Sequence, residues 1–373
     1  MKLLFFIFSF LALLGFSSAQ AQPYSVTGLG TLGGDQSQAY AINNNGVISG
    51  GSYNAGDADF FAFSYSGGVM TSLGTLGTGN ESEGYGINIS GTIVGNANYT
   101  SAGDHHPYSY SGGVMTDLGT LGGYWGQAYG INDAGTVVGA AMDLTYQYQP
   151  FKDSGGVMTS LGTLGGNSGF ARAINNSGTI VGWAQPTGNT GQHAFVYSGS
   201  TMTDLGTLGG TTSDAYAINS AGTIVGYAQT TGNAAYHAYS DSGGVMTDLG
   251  SLGGNTSVAQ GINSSGTIVG YSLLADNTTQ HAFVTIGGVM VDLNTVLDAS
   301  GAGWTLIDAD GINDSGQIVG YGYYSPAGID EAFLLDLVPE PSTYAMLVGG
   351  LGLLGFVARR RTREKRNNFM IKS

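Results

Sequence analysis

Between Pro23 and Leu337 the chain alternates apolar and polar positions in short runs, broken by Gly, Asn, Asp and Ser. The runs are rich in Val, Ile, Thr and Tyr and show no helical period, so they predict β-strands. Around residue 230 the pattern predicts strands over Ala215–Ile218, Thr223–Tyr227, His237–Ser240 and Gly244–Leu249. The first two strands are joined by Asn-x-x-Gly, as in Asn175 to Gly178. There the Asn side chain caps a type I turn and Gly takes the left-handed position. Ser-Gly-Gly or a close variant joins the last two strands.

The four-strand pattern recurs. A block reading Ala-Ile-Asn or Gly-Ile-Asn appears with its isoleucine at Ile42, Ile87, Ile131, Ile174, Ile218, Ile262 and Ile312, at spacings of 45, 44, 43, 44, 44 and 50. A period near 44 is the length of a four-stranded propeller blade. The seventh repeat ends at Leu335 without a fourth strand, whereas Tyr24–Leu29 matches a fourth strand that has no repeat of its own. An N-terminal strand completing the last unit would close a ring and remove two sheet edges. The sequence therefore predicts an all-β, seven-bladed β-propeller of four-stranded blades over residues 22–337, with an open β-solenoid as the alternative.

The two ends carry a different pattern. After Met1 and Lys2 an apolar run from Leu3 to Phe16 leads to small residues at Ala19 and Ala21. This is the build of a secretory signal peptide over residues 1–21, cleaved before Gln22. At the other end, residues 338–366 hold Pro339, Glu340 and Pro341, then an apolar stretch over 343–358, then a basic stretch over 359–366 that opens with Arg359, Arg360 and Arg361. The apolar stretch is expected to form a short transmembrane helix. The basic residues would hold its far side, with the tail 367–373, in the cytoplasm.

This C-terminal order resembles the PEP-CTERM sorting signal of Gram-negative bacteria. That resemblance implies an exosortase-type processing enzyme as a partner, and a destination at the cell envelope, the cell surface or outside the cell. The repeats in turn resemble the HAF extracellular repeat family, named for the His-Ala-Phe tripeptide that stands at His193–Phe195 and His281–Phe283. It supports the repeat reading and adds no activity.

Charge sharpens the picture. Eight of the ten Lys and Arg lie in the two ends, and the exported part keeps only Lys152 and Arg172 against 23 acidic residues, a net −21. Such a surface excludes nucleic acid as a partner. There is no cysteine, so neither disulfides nor thiol chemistry is available. Gly28, Gly30 and Gly33 spell the dinucleotide fingerprint, but no helix pattern follows, and the segment reads as a connector.

Candidate chemistry is sparse. His193, His237 and His281 repeat at one strand position and read as local hydrogen bonders, while Asp104, His105 and His106 are the one weak metal-ligand group. Asp-rich turns leave calcium as an alternative to no cofactor, without the 12-residue acidic loop that would specify it. Carboxylate pairs such as Asp308 with Asp310 are too common in an acidic chain to be diagnostic. The variable loops gather Tyr53, Tyr124, Trp125, Tyr146, Tyr148, Trp183, Tyr323 and Tyr324 on one expected face, where rings beside Asp and Asn suit a sugar. The reading is a non-enzymatic binding or structural propeller at the cell surface, with a polysaccharide or an envelope protein as partner. A protein-binding adhesin and a glycan-cleaving enzyme are the alternatives.

Overall fold

The computed structural model describes residues 23–100 and 103–339. The signal-peptide residues, including Ala19 and Ala21, lie outside them. So do Glu340, Pro341, the expected membrane helix over 343–358, and Arg359, Arg360 and Arg361. The chain divides into two units. One is Ser25–Asp336; the other comprises the chain ends, Met1–Tyr24 and Leu337–Ser373. In the second unit the Val338 N–H donates to the Pro23 carbonyl at 2.9 Å. No described helix is long and apolar enough to cross a membrane.

The larger unit is all-β and propeller-like, with only short 3-10 turns beside its strands. Its pattern is set by β2 (Gly33–Ile42), β3 (Ile48–Asn54), β4 (Phe60–Ser66) and β5 (Val69–Gly74), which pair antiparallel in sequence order. The same order restarts at β6 (Ser82–Ile87), β10 (Gly122–Ile131), β14 (Gly165–Ile174), β18 (Gly209–Ile218), β22 (Gly253–Ile262) and β26 (Trp304–Ile312). The last group lacks a fourth strand of its own. Its third strand, β28 (Ile329–Leu337), pairs with β1 (Tyr24–Gly28) from the N-terminal side of the sequence. The Leu29 N–H donates to the Ala332 carbonyl at 2.9 Å, and Glu331 Oε1 accepts from the Gly30 N–H at 2.7 Å.

Most first strands begin earlier than the alternation predicts. In the fifth group β18 starts at Gly209 rather than Ala215, pairing Gly209 with Thr230 across a register shift. The Gly-Gly-Thr-Thr segment is polar on both faces, so its strand character comes from backbone pairing and leaves no apolar alternation to read.

The turn asparagines do two jobs. Asn219 Oδ1 accepts from the N–H groups of Ala221 and Thr223 at 3.0 and 2.9 Å, which caps its own turn, and Gly222 takes φ +85°. Its Nδ2 donates to the carbonyl of Asn263, the equivalent residue of the next group, at 3.1 Å. Asn43 donates to Asn88, Asn88 to Asn132, Asn132 to Asn175, Asn175 to Asn219, Asn263 to Asn313, and Asn313 back to Asn43, all within 2.9–3.3 Å. Aspartate could cap the turn but has no N–H to pass on, so the circuit requires the amide.

The core is a series of small clusters, each drawn from two neighbouring groups. Val181 and Ala194 of one group pack with Ala215, Ile224, Ala228 and Tyr239 of the next. The His-Ala-Phe tripeptide is explained by this packing. Phe195 is fully buried. The Ala194 N–H donates to Ser213 Oγ of the next group at 2.8 Å. His193 Nδ1 meets Asp204 of the neighbouring strand at 2.8 Å, and the same Asp accepts from the Gly206 N–H. Gly182 faces the same crowding, since a Cβ there would collide with the Phe170 carbonyl oxygen.

Candidate functional site

Every first strand carries a register shift at the same place, besides the one nearer its start in all but β6. Register shifts fall between Ala39 and Ala41, Gly84 and Gly86, Ala128 and Gly130, Ala171 and Ala173, Ala215 and Ala217, Ala259 and Gly261, and Ala309 and Gly311. A bulge leaves one residue unpaired and re-aims its side chain. The residues so released are Tyr40, Tyr85, Tyr129, Arg172, Tyr216, Gln260 and Asp310, and together they line a cavity of about 250 Å³. Small neighbours at each bulge let the backbone bend without displacing a packed side chain. Two to three residues further along, five of the turn asparagines and five of the isoleucines before them line a separate cavity of about 280 Å³.

The collar is chemically lopsided. One side is an aromatic arc, with ring centroids 5.1 Å apart for Tyr40 and Tyr85 and 5.5 Å for Tyr85 and Tyr129. Arg172 continues it, its guanidinium carbon 4.9 Å from the Tyr129 centroid and 5.0 Å from that of Tyr216. The Tyr40 hydroxyl donates to Glu83 Oε1 at 3.1 Å, and the Tyr85 hydroxyl donates to the other oxygen of that carboxylate. Burial and the Glu83 charge push both phenols well above their ordinary range.

The other side is carboxyl and amide. Gln260 Nε2 donates to Asp308 Oδ1 at 2.5 Å. Burial raises the Asp308 carboxyl, and burial together with Asp308 raises that of Asp310 well above the usual carboxylate range. Two adjoining carboxyls withdrawn from water resist a second negative charge, so the pair holds a proton to higher pH than a free aspartate would. Arg172 Nη2 meets Asp214 Oδ2 at 3.1 Å, and Asp214 is almost wholly buried. Burial pushes its carboxyl up to about 6 even with Arg172 opposing the shift. Three buried polar atoms here have no hydrogen-bond partner among the described residues: Arg172 Nε, Asp214 Oδ1 and Asp310 Oδ2.

The aromatic residues expected on the loops divide into groups. Trp125, Tyr148 and Trp183 gather around Phe170, with centroids 6.0, 5.4 and 5.0 Å from it. Phe170 also lies 6.1 Å from Tyr129, so this cluster is continuous with the collar. Tyr53 packs on Phe60 at 4.9 Å and lines a cavity of about 310 Å³ with Tyr40, Glu83 and His105. Tyr124 and Tyr146 pair at 6.2 Å and are exposed. Tyr324 stacks on Trp304 at 4.8 Å, while Tyr323 is exposed.

The Asp104, His105 and His106 group is split three ways. Asp104 meets Thr100 at 3.3 Å, His105 meets Asn96 at 3.1 Å, and His106 meets Asp117 at 2.9 Å. No cluster of three metal-ligating side chains occurs among the described residues.

Sequence reasoning missed the collar itself, and it passed over Asp308 and Asp310, which the fold brings to it. One signal was available. The residue before Ala/Gly-Ile-Asn is Tyr, Tyr, Tyr, Arg, Tyr, Gln and Asp in successive repeats, a variable slot inside an otherwise constant motif.

Residues 337–361 match the PEP-CTERM protein-sorting motif. That motif marks exported, membrane- or envelope-sorted proteins of Gram-negative bacteria and implies recognition by exosortase-type processing. No curated protein matches the chain. Among solved structures it is similar to TolB from Acinetobacter baumannii, at 11% identity and TM-score 0.42, covering 81% of this chain and 64% of that one. It is also similar to the β-propeller domain of the Trilobed protease from Pyrococcus furiosus, at 12% identity and TM-score 0.49, covering 69% and 83%. A third is the gluconolactonase XC5397 from Xanthomonas campestris, at 10% identity and TM-score 0.38, covering 86% and 96%. At these values none transfers an activity.

Proposed function

We propose that this is an exported, envelope-sorted protein whose β unit is a closed seven-bladed propeller of HAF-type repeats acting as a non-enzymatic binding module, with its ligand held in the collar. A cell-surface or extracellular-matrix polysaccharide is the partner this reading names. The observation that carries it is the set of bulges, which turn one side chain from every repeat into a single cavity. Bulged residues gain nothing for pairing, and three of the seven depart from tyrosine where the surrounding motif stays constant, as expected of positions that serve a ligand. The asparagine circuit, which returns to its first member, supports a ring over a solenoid.

A glycan array probed with the exported protein tests the reading. Binding to a defined set of polysaccharides is expected, and a blank array with and without calcium would remove it. The second reading is a glycan-cleaving enzyme, favoured by the proton-holding pair Asp308 and Asp310. It requires the bound polysaccharide to shorten over time and Asp310→Asn to stop the shortening while binding persists.

A further inference from the structure

The collar's polar groups restrict the charge of what it can hold. Four tyrosines could cage a cation. The guanidinium of Arg172, however, already lies over Tyr129 and Tyr216, and at 5.5 Å over Phe170, so the chain's own cation occupies those faces. An anion meets no counter-charge. The charge of Arg172 is met by Asp214 at 3.1 Å, and Glu83, Asp308 and Asp310 add carboxyl groups around the same space, so an entering carboxylate or phosphate would find no unmatched positive charge.

What remains is hydrogen bonding. Arg172, Gln260 and Asp310 line the cavity and bring to it side chains that carry N–H donors and carbonyl or carboxyl oxygens. A hydroxyl group is both donor and acceptor, so a pair of ring hydroxyls can meet an N–H and a carboxyl oxygen at once. The tyrosine arc offers apolar ring surface to the face of such a ligand. The cavity, at about 250 Å³, is below the span of roughly 300–1,000 Å³ usual for larger ligands, so it accommodates one ring.

Resting on the polysaccharide reading above, we infer that the collar takes a single uncharged sugar unit, with its ring against the tyrosine arc and its hydroxyls between Arg172 and Asp310, and that it rejects acidic sugars. The Phe170, Trp125, Tyr148 and Trp183 cluster, continuous with Tyr129, would take the neighbouring unit of the same chain.

The test is calorimetric titration of the full exported protein with matched neutral hexose and hexuronate oligosaccharides. Neutral oligosaccharides are expected to bind, with the hexuronates at least about tenfold weaker. Tyr129→Ala should weaken neutral binding by roughly five- to tenfold, and Tyr85→Ala by a similar factor. Val245→Ala, at an exposed position outside every candidate site, should leave it unchanged. Thermal unfolding of each variant separates lost binding from lost fold, and the two collar variants stand in for each other if one fails to fold. Tighter binding of the hexuronates would overturn the neutral-sugar inference and leave the polysaccharide reading standing. Neutral binding indifferent to both collar variants, when each is folded, would overturn the collar as the site. Absence of binding to both classes would overturn the inference together with that reading.

Discussion

The asparagine circuit and the collar are built from the same strands, only three residues apart, yet they obey opposite rules. At the circuit every repeat places the same residue, and every amide has both an acceptor and a donor role inside the fold. At the collar four repeats place tyrosine and the others Arg, Gln and Asp, and buried polar atoms are left unmatched. Uniformity marks a position whose partner is the next copy of itself. Divergence, with polar groups that cost stability, marks a position whose partner is something else.

Three changes would break or sharpen this contrast. The largest effect is expected from Arg172→Leu, which strands Asp214 in the interior and should destabilise by about 3–5 kcal/mol. Combining it with Asp214→Leu should recover most of that loss, because a buried ion pair removed whole costs little. Denaturant melts of the single and double variants measure this. A double variant as unstable as the single would place the collar among the structural parts and dissolve the contrast.

Asn219→Ala comes next. It removes the turn cap and leaves a buried carbonyl of the following repeat without its donor, at a cost of about 2–3 kcal/mol. Asn219→Asp keeps the cap and loses only the outgoing N–H, so it should cost less, about 1–2 kcal/mol, and no second substitution should rescue either. Equilibrium unfolding that finds Asn219→Asp unchanged would show that the circuit contributes nothing.

The smallest effect has the opposite sign. Asp308 and Asp310 have folded-state pKa values above those of the unfolded chain, so the folded protein binds more protons than the unfolded one. Their contribution is therefore favourable at low pH and is lost as pH rises above about 4 toward neutrality. Asp310→Asn should remove that loss and stabilise the protein by on the order of 1–2 kcal/mol at pH 7, with the gain vanishing near pH 3. Melting temperatures across that range test it. A variant less stable than the parent at pH 7 would mean the carboxyl is held for the fold.

Much of the fold was legible because its signals are local and repeated. The Asn-x-x-Gly turns, the strand alternation and the 44-residue period each need only a few neighbouring residues, and the unmatched strand at Tyr24–Leu29 pointed to its pairing with the last repeat. The strand starts at the Gly-Gly segments were illegible, since backbone pairing without a buried face leaves no alternation. Among the aromatic residues, composition marked Trp125, Tyr148 and Trp183, but nothing in their spacing joined them to Phe170 and separated them from Tyr124 and Tyr323.

By itself the sequence determined the repeated β architecture, the charge and the sorting tail, because each is written in composition or in contacts close along the chain. Only the tertiary structure decided where function could reside. A bulge has no residue signature of its own, and the seven collar residues lie about one repeat apart in sequence. They meet only when every strand is in place, and only then do Asp308 and Asp310 leave water and Arg172 find Asp214 and the faces of two tyrosines.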